Sequence, residues 1–145
     1  PIKVMIRPRA GDFVYSPEEL QNMEEEIIFC KNLPIHRIVL GILCKDGWIN
    51  QDAIRLLSNC AQPLPVTFHK VTDETPDPLK AMEKLAEIEN VKSILTSGGA
   101  VHALEGTEML KRMKFHFGSR FDLIAAGGIT SDNLIVIRHV DLFEL

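Results

Sequence analysis

"IKVMIRPRAGDFVY", Ile2 to Tyr15, begins as an apolar alternating strand and finishes on two arginines around a proline. Side chains alternate along a strand, so Ile2, Val4 and Ile6 form one face and Lys3, Met5 and Arg7 the other. A strand that ended inside a core would not close on Arg7 and Arg9. One whose carboxyl end opens onto a ligand mouth would. Four further β-branched runs follow: "RIVLGIL" from Arg37, "PVTFH" from Pro65, "VKSILTS" from Val91 and "FDLIAAGG" from Phe121. Their starts lie roughly 30 residues apart, the length of one strand–helix unit. A sixth run, "VDLFEL" from Val140, comes after a shorter interval.

Helix signals fill the gaps. Ser16-Pro17-Glu18-Glu19 reads as a capping box with proline at the first helical position, ahead of Leu20, Met23 and Ile27 on one face. Asn50 caps a helix turning Ala53, Leu57 and Cys60 inward. Thr75-Pro76 or Asp77-Pro78 opens the next, with Leu79, Met82, Leu85 and Ala86 as its stripe. A fourth is predicted from about Val101 to Lys114 through Leu104 and Met113, and a fifth after Ser131 through Leu134 and Ile137. Strict alternation of strand and helix demands a parallel sheet with right-handed crossovers.

Two architectures compete for that order. A doubly wound sheet favours a G-x-G-x-x-G turn, which is missing. A (β/α)₈ barrel gathers polar groups at the carboxyl ends of many strands, and here the runs end on Arg7 and Arg9, Gly41, His69, Thr96-Ser97-Gly98-Gly99, Gly127-Gly128 and Glu144. The expected fold is therefore α/β, a TIM-type (β/α)₈ barrel. Such a barrel takes eight strands and about 250 residues. The 145 residues are thus expected to form a single partial barrel domain, 1–145, of about six strands and five helices, with the first two βα units missing.

Composition narrows the function classes. Hydrophobic residues make up 46% and charged residues 25%, enough for a real core in a globular chain. Sixteen basic against 20 acidic residues leave a net charge of −4, which argues against a nucleic-acid surface. No apolar run reaches the ~18 residues of a membrane span, and no secretory signal is visible. The cysteines, Cys30, Cys44 and Cys60, are an odd number without a C-x-x-C pair, which favours a reducing, cytoplasmic setting.

Strand parity turns Arg7, Thr67, His69 and Glu144 toward one shared cavity. The planar fork of Arg7 suits a carboxylate or phosphate. Its partner is a protein carboxylate, Glu144 or Asp12, or else a ligand anion. His69 has the chemistry of a general acid or base; it is equally a hydrogen-bonded core histidine. Asp73 either orients His69 or begins the next loop. The turns "TSGGA" (Thr96, Ser97, Gly98, Gly99, Ala100) and "AAGGIT" (with Gly128) either hold an anion on backbone amides or are simply tight turns. Cys30 and Cys60 are expected in the core and Cys44 in a loop. His36, His102, His116 and His139 form no i, i+4 ligand pair, so no metal motif is present and any metal ligands are unknown.

"MIRPRAGDFVY" (from Met5), "DGWIN" (from Asp46), "PVTFHKVTD" (from Pro65), "LTSGGAVHALEG" (from Leu95) and "AAGGIT" (from Ala125) together resemble the CutC copper homeostasis family, in order along nearly the whole chain. The resemblance implies a TIM-type barrel and cytoplasmic copper handling, with copper as the implied ligand. It also implies two βα units upstream, so that Ile2 starts the third strand, and a terminal Glu-x-His of which Glu144 and Leu145 are the first two positions. Lys70 and Thr72 depart from the family's usual arginine and phenylalanine. The resulting expectation is a copper homeostasis protein that binds or carries copper. The alternative is a barrel enzyme for a small anionic or sugar-like metabolite. There Arg7, Arg9, Asp12, Asp73, Thr96, Ser97, Gly98 and Gly128 bind the ligand while His69 and Glu144 move protons. Partners would be a copper ion or small anion, without nucleic acid or membrane, and a homodimer is the assembly to test.

Overall fold

The structure, a computed structural model, describes residues 1–139. Their element order is β1 (Lys3–Met5), α1 (Pro17–Cys30), β2 (Arg37–Leu40), α2 (Gln51–Ala61), β3 (Val66–Phe68), α3 (Pro78–Ala86), β4 (Val91–Thr96), α4 (Thr107–Phe117), β5 (Asp122–Ala125) and α5 (Leu134–His139). A single 3₁₀ turn, Lys70–Glu74, joins β3 to α3. The strands make one parallel sheet in chain order, β1-β2-β3-β4-β5. The sixth run, with Glu144, lies outside the described residues.

Local chemistry explains the helix starts. Ser16 Oγ accepts from the Glu19 amide at 3.2 Å while Glu19 Oε2 accepts from the Ser16 amide at 2.8 Å, closing the predicted capping box. Asn50 Oδ1 takes the Ala53 amide, and Asp77, not Thr75, caps α3 through the Leu79 and Lys80 amides. The fourth helix departs from its predicted span: it begins at Thr107, not Val101. The Ala103 amide donates to Gly127 O across the sheet, so residues 101–106 are held as a loop, leaving Val101 and Leu104 exposed.

The two faces of the sheet differ. Ile6, Ile38, Leu40, Val66, Phe68, Ile94 and Leu123 point to the helices and pack on Met23, Ile27, Ile54, Leu57, Met82, Leu85, Leu110 and Met113 in one core. Burying each such side chain contributes about 1.5–3 kcal/mol. The opposite face carries Lys3, Met5, Arg37, Val39, Thr67, Ser93 and Asp122, the registers that pair across the strands. Near the amino ends of the strands, Arg37 donates to Ser93 and, at 3.2 Å, to Asp122, lining a cavity of about 500 Å³.

Arg120 fastens α3 to β4. Its guanidinium donates to Ala86 O at 3.1 Å, Ile88 O at 2.8 Å and Val91 O at 2.8 Å, satisfying carbonyls that the helix end leaves open. Arg120→Met should lower stability by about 2 kcal/mol, read as a fall in urea midpoint at constant m-value. An unchanged midpoint would mean that water replaces the three bonds without loss.

Candidate functional site

β3 commits Val66 and Phe68 to the core, so Thr67 and His69 fall on the opposite face at the strand's carboxyl end. The turn that follows folds the Val71 amide back onto His69 Nδ1 at 3.3 Å. With Nδ1 accepting, the neutral ring carries its proton on Nε2. The imidazole lies flat on Gly41, where a β-carbon would collide with the ring. Phe13 covers it, ring centres 5.0 Å apart. Burial, reinforced by the charge of Arg7, pushes the His69 pKa down to about 4. At neutral pH His69 therefore offers a hydrogen-bond donor and is a weak base.

Arg7 is exposed at the carboxyl end of β1, its guanidinium 4.5 Å above the Phe13 ring and donating to Gly11 O at 2.7 Å. No carboxylate among the described residues pairs with it. Tyr15, which sequence reasoning missed, belongs to the same cluster: burial raises its hydroxyl pKa while the neighbouring Arg7 charge opposes the rise. Tyr15 Oη, Thr67 Oγ1 and His69 Nε2 are all buried without a hydrogen-bond partner among the described residues. Such groups are costly to leave unmet. The signal available in the sequence was the alternation Phe13, Tyr15 after the arginines.

The other expected site residues divide. Asp12 pairs with Arg9 at 2.8 Å and not with Arg7, while Arg9 Nε also meets Glu19 at 2.6 Å. Arg9 thus serves the loop and the start of α1. Asp73 does not reach His69. Its side chain is 6% exposed and accepts from Thr96 Oγ1 at 2.6 Å, Ser97 N at 2.8 Å, Ser97 Oγ at 2.9 Å and Gly99 N at 2.9 Å. The Gly98 amide turns to Thr96 Oγ1. The first Gly-Gly turn therefore holds an anion, and the anion is Asp73. Gly128 lies in the second such turn, against the ring of His102.

The thiols stand on separate elements: Cys30 in α1, Cys60 in α2 and Cys44 in the loop after β2. Burial raises the pKa of all three, holding them as neutral thiols. Among the described residues no group of three His, Cys, Asp or Glu is placed to hold a metal ion. A copper centre built on three such side chains therefore finds no ligand set among the described residues. No helix in them is long and apolar enough to cross a membrane.

A parallel sheet wound in chain order, with helices packed on one face, defines an α/β protein. The chain belongs to the CutC family, whose model matches residues 1–141. It is 40% identical over 134 residues, 92% of this chain and 49% of the relative, to a human protein named copper homeostasis protein cutC homolog. To a CutC family protein of Glaesserella parasuis it is 37% identical, covering 92% of this chain and 55% of that one. A solved CutC structure from Streptococcus agalactiae superposes with a TM-score of 0.89 at 33% identity, over 95% of this chain and 67% of that one. The chain spans about half the length of these curated relatives.

Proposed function

We propose that the chain works in copper homeostasis in the cytoplasm, with copper as cargo that it binds or passes on. The observation that carries this is its 40% identity, across 92% of its length, to a relative named for that role. We place it within a TIM-type barrel, of which residues 1–145 supply part of one domain. Strand order equal to chain order, with helices packed on one face, supports that placement.

Anaerobic Cu(I) titration against a competing chelator tests the copper reading. Saturable binding by the chain supports it, and no binding at any ratio of metal to protein overturns direct handling. Because the thiols stand on separate elements and are held neutral, a Cys30→Ala, Cys44→Ala, Cys60→Ala triple variant should bind Cu(I) as the parent does. Loss of binding in that variant would put the metal on these sulfurs.

A second reading is favoured by Tyr15 and His69 beside Arg7, which together with Thr67 hold polar atoms unmet among the described residues. They suit a small anionic or polyhydroxylated molecule at the carboxyl ends of the strands. Arg7 would grip its anion, the His69 Nε2–H would polarise an oxygen, and Glu144 would exchange the proton. Arg9 with Asp12, and Asp73 with Thr96, Ser97 and Gly98, would shape the rim.

A further inference from the structure

We propose that the turn after β5 is a phosphate-monoester site, in which Lys70, His102 and the amides of Gly127 and Gly128 take the terminal phosphoryl group of a small ligand. The inference goes beyond the second reading above: that reading grips an anion at Arg7, and this one adds a phosphoryl site at the turn after β5.

Gly127 and Gly128 have φ of +102° and +64°, backbone that favours glycine. Two side chains from other loops pack where their β-carbons would stand. Lys70 Nζ lies 3.1 Å from where a β-carbon on Gly127 would stand. The His102 ring rests directly on Gly128, is exposed, and its nitrogens make no hydrogen bond. Lys70 Nζ is steered by Val101 O at 3.3 Å and stands 3.9 Å from Asp73 Oδ2, which leaves N–H capacity for a third partner.

The backbone of the turn is arranged the same way. Its carbonyls are engaged, Gly127 O by the Ala103 amide and Gly128 O by Asn133 Nδ2 at 2.7 Å. The amides of Gly127, Gly128 and Ile129 donate to no described residue. The groups left over are therefore chiefly donors, beside a cation. The first Gly-Gly turn supplies the contrast within one molecule: there the amides of Ser97 and Gly99 close on the carboxylate of Asp73. Among the described residues no carboxylate plays that part for the second turn. Two open amides beside the Lys70 ammonium and the His102 ring suit the three terminal oxygens and roughly two charges of a phosphate monoester better than the two oxygens of a carboxylate.

The test is a titration of the ¹⁵N-labelled chain with inorganic phosphate at neutral pH, following the amides of Gly127 and Gly128, with sulfate as comparison. The expected result is saturable movement of both signals. Lys70→Met should weaken binding about tenfold and Lys70→Arg should retain it. His102→Gln, at an exposed side chain that leaves the core untouched, should weaken it severalfold, and Lys111→Met, at an exposed lysine of α4, should leave it unchanged. If phosphate binding is lost in Arg7→Met and kept in Lys70→Met and His102→Gln, the anion sits at the Arg7 rim. That overturns the turn site while the second reading stands. If neither region responds saturably, both are overturned.

Discussion

Asp73→Ala should lower the stability of the chain by about 3–5 kcal/mol, the loss typical when one partner of a buried, hydrogen-bonded charge network is removed. The carboxylate closes the turn after β4 through two amides and two hydroxyls, all within 2.9 Å. Alanine leaves the buried Ser97 amide without its acceptor and takes the shared carboxylate from the Thr96 and Ser97 hydroxyls, in a region where both residues are fully buried. Asp73→Asn keeps the shape and one acceptor oxygen but turns an NH₂ toward donors, so it should cost about half as much. Guanidinium unfolding of the parent and both variants, with m-values compared, reads the difference. If alanine and asparagine cost the same and less than about 1 kcal/mol, the turn is held by its glycine backbone and not by the carboxylate.

The second large effect is one of pH. His69 is neutral in the folded chain down to about pH 4, whereas an unfolded histidine takes up its proton near 6.5. Between those values the unfolded state binds a proton that the folded state refuses. Stability contributed by the neutral ring is therefore complete above pH 6.5 and is lost as pH falls toward 4, by about 3 kcal/mol in all. His69→Gln should remove that part of the acid slope and leave the slope due to carboxylates. Urea unfolding at half-unit steps from pH 7.5 to pH 4 makes the comparison. Parallel curves for parent and variant would show that the buried ring is charged at no cost, which its burial and the Val71 amide donating to Nδ1 argue against.

Much of this fold was legible in the sequence because the signals were local. The period-2 runs at Lys3, Arg37, Val66, Val91 and Asp122 became the five strands. Ser16, Asn50 and Asp77 capped helices through bonds reaching two or three residues. Parity placed Thr67 and His69 opposite Val66 and Phe68. What was not legible depended on contacts between distant segments. Nothing near Val101 reveals that Ala103 is tied to Gly127. Arg9 comes two residues after Arg7, yet it takes both Asp12 and Glu19, because α1 returns beside the loop. The 23-residue step from Asp73 to Thr96 could not be read from either end. Tyr15 and His102 carried no site role in the sequence and Lys70 stood out only as a departure from the family pattern; folding brings Tyr15 beside Arg7 and packs Lys70 and His102 against Gly127 and Gly128. The terminal Glu144, expected at the same mouth, lies beyond residue 139.

The strand order has a mechanical meaning. Because β1 touches β2, β2 touches β3, and so on to β5, each strand leans on no more than two others, and those are its neighbours along the chain. Among the described strands pairing is passed only from neighbour to neighbour, while all five feed a single core, so a loosened strand is felt through the packing even where it is not felt through the ladder. β3, bracketed on both sides and carrying His69 at its tip, is held by both.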